Sequence, residues 1–443
     1  MWRLILNDIF KGTRTNAYFN FYSKIICENK RFIEEYQFSK FQKLINHAYC
    51  HVPYYTNIFN KLKITPSSFT KIQDIKHLPV LTRADIQEHN QGLISRDFTE
   101  RNKKYFRSSS SGTTGTPISY LHDRDGESSG NAAIYVLWQL SGWNFNNRGI
   151  HIWGNPDSIS HWDKPASRAK RYIFQQKNIA AFLLNDTKNL YEITKNLLVF
   201  KPDYIDGYPG SIYSLAEYLL EKNIKFPKCR YVFTTAENLP DYQRTIIEKA
   251  IGPVFDYYGC GEINSIASQI AGNSRYYIFD PHVYVETEEN DAANELKEII
   301  VTDLDNLIMP FIRYKTGDLI DGVFTGESDS FPYKYFNKVC GRVSDIIDIG
   351  NGKKILPLTL IGGTFIREFK NITRHKVIWD QKKLHFIFEC SGEIQKEAIN
   401  EKLSSMLAHY PVPYSFGFTD KILPDKNGKY RYFEALDPTG STE

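Results

Sequence analysis

Ser108-Ser109-Ser110-Ser111-Gly112-Thr113-Thr114-Gly115-Thr116-Pro117 is the most informative stretch of this 443-residue chain. Its serines, threonines and two glycines crowd backbone N–H and hydroxyl donors into one short loop. Such a nest suits the charge of a polyphosphate. A flexible Ser/Gly linker is the competing reading. Linkers, however, rarely join Thr-Thr-Gly to a terminal proline at the mouth of a helix. Neither G-x-x-x-x-G-K-[ST] nor G-x-G-x-x-G occurs, so the two common phosphate-binding loops are excluded.

Working outward, segments of two periodicities alternate. A helix carries Ala132, Ala133, Val136, Leu137 and Leu140, and a Pro/Gly turn at 204–210 opens another with Ile212, Leu215, Ala216, Leu219 and Leu220. Short apolar runs at 230–235 and 254–258 read as buried strands with a helix, 242–250, between them. This alternation predicts an α/β sheet. The first hundred residues read as helical, with Ile33, Tyr36, Phe41, Leu44, Ile45 and Ala48 as an amphipathic stripe. In LPVLTRADIQEH, residues 78–89, Thr82 is placed as an N-cap and Asp85 as a first-turn acid. Beyond about residue 270 the chain turns strand-rich, at 276–285 and 296–302. Strands at 375–379 and 384–388 with a helix at 394–407 predict a small α+β domain. Gly341, Gly350 and Gly352 mark its boundary.

Composition narrows the function classes. Lys+Arg number 55 against 51 Asp+Glu, a formal net charge of +4, too balanced to point to nucleic acid or an anionic membrane. With 42% hydrophobic and 24% charged residues the chain is globular rather than disordered. No apolar run of about 18 residues is present, so no membrane insertion is expected. The opening MWRLILNDIF, broken by Arg3, Asn7 and Asp8, lacks the marks of a signal peptide. Cys27, Cys50, Cys229, Cys260, Cys340 and Cys390 form no C-x-x-C pair, which fits a reducing cytoplasm better than a zinc ribbon or disulfide framework. His151, His161 and His282 show no ligand spacing. Cys260 has no basic neighbour in sequence to activate it as a nucleophile.

Four motifs in order carry a resemblance. SSGTTGTP, then YGCGE (258–262), RYKTGD (313–318) and GRVSD (341–345) resemble the adenylate-forming superfamily. NHAYCHVPYYTNIF (46–59) and LPVLTRADIQEH resemble its phenylacetate–CoA ligase branch, especially the capsular-polysaccharide-biosynthesis relatives. The resemblance implies an α/β fold: a large N-terminal adenylate-forming domain, 1–343, with mixed sheets and flanking helices, and a small mobile α+β C-terminal domain, 344–443. It implies an ATP- and Mg²⁺-dependent ligase that adenylates a carboxylic acid and passes the acyl group to an acceptor. CoA is favoured over an amine of a sugar or amino acid. A non-catalytic scaffold in polysaccharide assembly is the rival from another class. No nucleic-acid partner is expected, and a homodimer is suggested by the branch alone.

Carried over by position, Ser109, Ser110, Ser111, Gly112, Thr113, Thr114 and Gly115 would cradle the β- and γ-phosphates, with Thr113 among the catalytic residues. Tyr258 and Gly259 would bind adenine, and Glu262 would hold Mg²⁺. Ala236 and Glu237 match the segment along the adenine edge. Asp318 would take the ribose hydroxyls, Arg342 would contact ribose or phosphate, and Lys429 would bridge the carboxylate and the α-phosphate. Trp153, Tyr208, Cys260 and Gly261 are the candidate acid pocket. Singly each has a plainer reading: Tyr258 as core, Gly317-Asp318 as a turn, Glu262 as a cap, Lys429 as a solvated lysine after Asn427-Gly428. Three positions depart from the pattern. Ile118 stands where many relatives have Lys, and Ser344 where the hinge is usually Asp or Lys. Residues 264–277 lack the cysteine of some branch members, which argues against zinc.

Overall fold

Thr82 and Asp85 show how closely local chemistry sets the chain's course. In the computed structural model Thr82 Oγ1 accepts the Asp85 N–H at 3.2 Å, and Asp85 Oδ2 accepts the Thr82 N–H at 2.7 Å. This reciprocal capping box starts the helix Arg83–His89 where the sequence places it. The structure describes all residues except 1, 110–117, 155–161, 163, 291–294, 327–331, 350–353, 358–360, 362–364, 366, 367, 370, 391, 393, 409, 411, 426, 427 and 437–443.

The fold is mixed α/β and forms two compact units that interleave along the chain. The first comprises Met1–Phe145, Phe255–Glu289 and Leu296–Lys338. Helices Trp2–Lys11, Thr15–Ile25, Lys30–His51 and Pro53–Leu62 account for the helical opening. On Lys30–His51 the buried stripe is Ile33, Gln37, Phe41, Leu44, Ile45 and Ala48. Gln37 takes the place expected for Tyr36 because its amide donates to the carbonyls of Asp280 and Val283, at 2.9 and 2.7 Å. The extended piece expected at 276–285 is two strands, Asn273–Ile278 and Val283–Glu289, in different sheets. Pro281 cannot donate to a ladder, and the turn is closed by His282 N–H to the Phe279 carbonyl at 2.9 Å. A separate antiparallel ribbon pairs Tyr105–Ser109 with Ser119–Asp123, bringing Ser109 opposite Ser119.

The second unit comprises Asn146–Val254, Asn290–Glu295 and Val339–Glu443. Four parallel strands lie in the order Tyr231–Thr234, Tyr204–Gly207, Gly149–Trp153, Gln176–Ala180. Strand order therefore reverses between the strands ending at Trp153 and Gly207. In open parallel sheets that reversal opens a crevice at the carboxyl ends of the strands. Gly207 makes the close approach there, since a Cβ would stand 2.1 Å from the Ile152 carbonyl oxygen. The α+β body has strand order Tyr414–Thr419, Leu384–Cys390, Ile372–Trp379, Phe433–Ala435, with the helix Lys396–Leu407. One apolar core runs through this unit, from Ile150 and Ile205 to Phe386 and Phe433.

A buried polar cluster ties the first unit together. Lys40 Nζ lies 2.6 Å from Asp305 Oδ2, and His282 Nδ1 lies 2.8 Å from the same oxygen. His282 Nε2 faces the Asn264 carbonyl at 3.1 Å. His282, Asp303 and Asp305 could together hold a metal ion, but the ammonium of Lys40 already supplies the positive charge. Burial alone would raise the Asp305 carboxyl; Lys40 and His282 outweigh it and hold it at about 2. Its ionic contribution is therefore present above the ordinary carboxylate range and lost as pH falls towards 2. Asp305→Asn leaves a buried cation without its counter-ion and should cost ~3–5 kcal/mol of stability at pH 7, read from a urea unfolding titration.

Candidate active site

At the carboxyl ends of the parallel strands the second unit gathers an aromatic and ionisable cluster. Trp153 ends one strand, and Tyr208 follows Gly207 at the end of the next. Their rings lie 4.4 Å apart, and His151 stacks on the other side of Trp153 at 5.5 Å and 14°. His151 Nδ1 is hydrogen-bonded to the buried Asp206, so it is an oriented ring beneath Trp153. Ala236 follows the strand Tyr231–Thr234 with φ +68, a left-handed backbone that a residue with a Cβ adopts at a cost. Glu237 beside it is half-buried, and its partial removal from water pushes its carboxyl up to about 7, against the pull of the Gly210 N–H and Lys429.

Lys429 reaches this cluster from the α+β body. Its Nζ stands 5.2 Å from the Tyr208 ring centroid. Burial lowers its pKa, and Glu237 raises it again. The supporting turn is closed by Asp425, whose N–H donates to the Lys429 carbonyl at 2.8 Å and whose carboxylate accepts the Lys429 N–H at 3.0 Å. Gly428 has φ +81, and a Cβ there would stand 3.0 Å from Ala181 Cβ and 3.3 Å from the Phe182 nitrogen. Glycine thus sets both the turn and the approach that points Lys429 at Tyr208. A lysine over an aromatic face with a carboxylate nearby is a packed group, not a solvated hairpin tip.

The first unit builds a second cluster. The Tyr258 hydroxyl donates to Asp318 Oδ2 at 2.8 Å, and Thr316 Oγ1 lies 3.1 Å from the same hydroxyl. Its ring meets Phe336 edge-on and is 8% exposed, so little of its face is open. Glu262 is buried, with Arg83 Nη1 at 3.7 Å. Gly261 packs against Tyr120 of the ribbon, where a Cβ would stand 2.7 Å from the Tyr120 hydroxyl. The ribbon flanking the Ser/Gly-rich stretch is thereby set against the YGCGE turn. Cys260 gives its Sγ to the Ile263 carbonyl at 3.6 Å, and burial together with Glu262 pushes the thiol well above its ordinary value. No thiolate forms there at neutral pH, so Cys260 is not poised as a nucleophile.

The structure thus groups Tyr258, Gly259, Cys260, Gly261, Glu262 and Asp318 in one unit, and Trp153, Tyr208, Ala236, Glu237, Arg342 and Lys429 in the other. Ser109 ends its strand exposed; Ser110, Ser111, Gly112, Thr113, Thr114 and Gly115 lie outside the described residues. His161 does too, as do Gly350 and Gly352 of the glycine-marked boundary. Arg83, Tyr120 and the Gly210–Tyr430 contact were not singled out by sequence. Arg83 sits one residue after the recognised cap Thr82, so its helix-start position was the available signal.

No family model matches the chain. Protein CapK of Staphylococcus aureus is 24% identical over 416 residues, covering 90% of this chain and 88% of the relative. Phenylacetate-coenzyme A ligase of Thermus thermophilus is 21% identical over 350 residues, 72% of each chain. Among solved structures, 2-hydroxyisobutyryl-CoA ligase in the postadenylation state, in complex with R3-HIB-AMP, superposes with a TM-score of 0.72 at 15% identity, covering 92% and 90% of the two chains. The fold is that of the adenylate-forming ligases, a class of ATP-dependent acid ligases. In sequence, the chain is similar to relatives of the phenylacetate–CoA ligase-like branch.

Gly428→Ala tests the lysine turn. Displacing the ammonium by about 1 Å should lower pyrophosphate formation by roughly 10²-fold. The thermal unfolding midpoint should also fall, by about 1–4 °C, because alanine is strained at this φ, as calorimetry would report.

Proposed function

We propose that the chain forms an acyl-adenylate from ATP and a carboxylic acid and then transfers the acyl group to the thiol of CoA. The observation carrying this reading is the placement of Lys429 over Tyr208 beside Glu237, at the carboxyl ends of the parallel strands. A carboxylate is a poor electrophile because nothing leaves it readily. One of its oxygens attacks the α-phosphorus, a P–O bond to pyrophosphate breaks, and AMP becomes the later leaving group. The developing charge lies on phosphate oxygens, so the protein's task is positioning plus cations aimed at them. Lys429 supplies one such cation.

Glu262 fits the remaining role assigned to it. It is a buried carboxylate with the hard-oxygen chemistry suited to Mg²⁺. Magnesium, when bound, would neutralise charge on the triphosphate. Asp318, pinned by the Tyr258 hydroxyl, presents carboxylate oxygen for the ribose hydroxyls. The serines, threonines and glycines of 109–115 would hold the β- and γ-phosphates, and Ala236 the adenine edge. Trp153 and Tyr208 offer aromatic walls, and Cys260 and Gly261 small ones, for the acid.

We place the mobile domain at 344–443, with its pivot in the segment around Gly341 and Ser344. Gly341 has φ +130, which suits a pivot. For the acceptor, Lys382 and Lys383 lie on the turn whose N–H groups bond Asp380 and are candidates for the phosphates of CoA. The likeness to Protein CapK supports a setting in polysaccharide assembly. No helix of the described residues is long and apolar enough to cross a membrane.

Two measurements test the reading. Pyrophosphate release across a panel of acids that includes phenylacetate, with CoA and amines varied separately, should single out one acid class and favour CoA. Lys429→Ala should then lose pyrophosphate exchange by about 10²–10³-fold while still consuming supplied acyl-adenylate. Equal loss in both assays would refute the role of Lys429.

A further inference from the structure

Glu237 is matched by sequence to the adenine edge, yet its carboxylate is held by main-chain donors. Oε2 accepts the Gly210 N–H at 3.0 Å, and Oε1 accepts the Tyr430 N–H at 3.0 Å. The first donor belongs to the opening turn of the helix Pro209–Glu221, just past the strand-order reversal. The second belongs to the residue following Lys429. One side chain therefore joins the crevice of the parallel sheet to the segment bearing the lysine.

The surroundings are shaped for the same docking. Tyr430 lies against Gly210 so tightly that a Cβ there would stand 2.4 Å from Tyr430 Cδ2. Its hydroxyl donates to Asn185 Oδ1 at 2.8 Å, and the Arg374 guanidinium stands 4.8 Å from its ring centroid. Arg374 is itself fixed by Glu217 at 3.0 Å and Glu389 at 2.8 Å. Two backbone N–H groups, one on each oxygen of a half-buried carboxyl group, fix its position and direction. Removing the carboxylate would leave the two donors of these half-buried hydrogen bonds without their protein acceptor.

We propose that Glu237 is a positioning residue for the first half-reaction: it docks the Lys429–Tyr430 segment on the helix start at Gly210. This inference rests on the ligase reading above. Glu237 is needed while Lys429 faces the α-phosphate, and it is dispensable once the lysine has withdrawn for acyl transfer. The residue acts through Lys429 and the neighbouring backbone, not on the nucleotide.

The test compares Glu237→Ala, Gly210→Ala and Lys429→Ala in the full chain, using the acid chosen by the panel and its synthetic adenylate. Pyrophosphate exchange should fall about ten- to hundredfold in Glu237→Ala and Gly210→Ala. Consumption of supplied adenylate should stay within about twofold of the parent. Gly210→Ala keeps the test decisive if Glu237→Ala does not fold. Alanine favours the helix, Gly210 is not among the residues with positive φ, and the added methyl meets Tyr430 and Glu237. If Lys429→Ala separates the half-reactions and neither other variant does, the Glu237 role is overturned while the ligase reading stands. If Lys429→Ala fails to separate them, the ligase reading itself is at fault.

Discussion

An ammonium that leaves water must find its compensation within the protein. For Lys429 that compensation is the face of Tyr208 and the carboxylate of Glu237. Burial lowers the lysine's affinity for its proton and raises the acid's, so each partner is tolerable because of the other. The rest of the second unit follows from holding this pair together. Gly207 lets two parallel strands draw close where their order reverses, Gly210 admits the Tyr430 ring, and Gly428 turns the chain so that its neighbour points inward. Three missing side chains do by subtraction what charged residues could not do alone.

The first unit meets the same problem in another way. Lys40, Asp305 and His282 form a closed polar cluster around one carboxylate oxygen, and the far side of His282 reaches the Asn264 carbonyl just beyond Glu262. The turn carrying the candidate magnesium ligand is therefore braced from behind by His282, which Asp305 holds in place. Asp318 and Tyr258, on strands of different sheets, are joined by a hydrogen bond from the tyrosine hydroxyl.

Much of this was legible in the sequence, for reasons that differ by element. The capping box at Thr82 and Asp85 could be read because both partners lie within one turn. The alternation of strands with helices could be read because burial imposes its own period on each. What escaped was long-range. Gln37 replaces Tyr36 in the buried stripe because acceptors some 240 residues away reward an amide. Pro281 divides a run of strand-forming residues whose two halves join different sheets. Glu237 was matched to nucleotide, yet the structure aims its carboxylate at backbone donors on either side of a large sequence gap. The ordered motifs marked the candidate residues; sequence alone gave no hint of which main-chain groups they hold.

The interleaving of the two units bears on how the chain is made. The unit begun by the amino-terminal helices takes its last strand from 335–336, after more than a hundred residues belonging to the other unit. A ribosome releasing residues in order thus exposes Phe41, Leu44 and Phe59 well before their sheet has been synthesised. Contacts of such sequence separation form slowly. The emerging polypeptide consequently passes through a long interval of unshielded apolar surface, during which chaperone capture competes with aggregation.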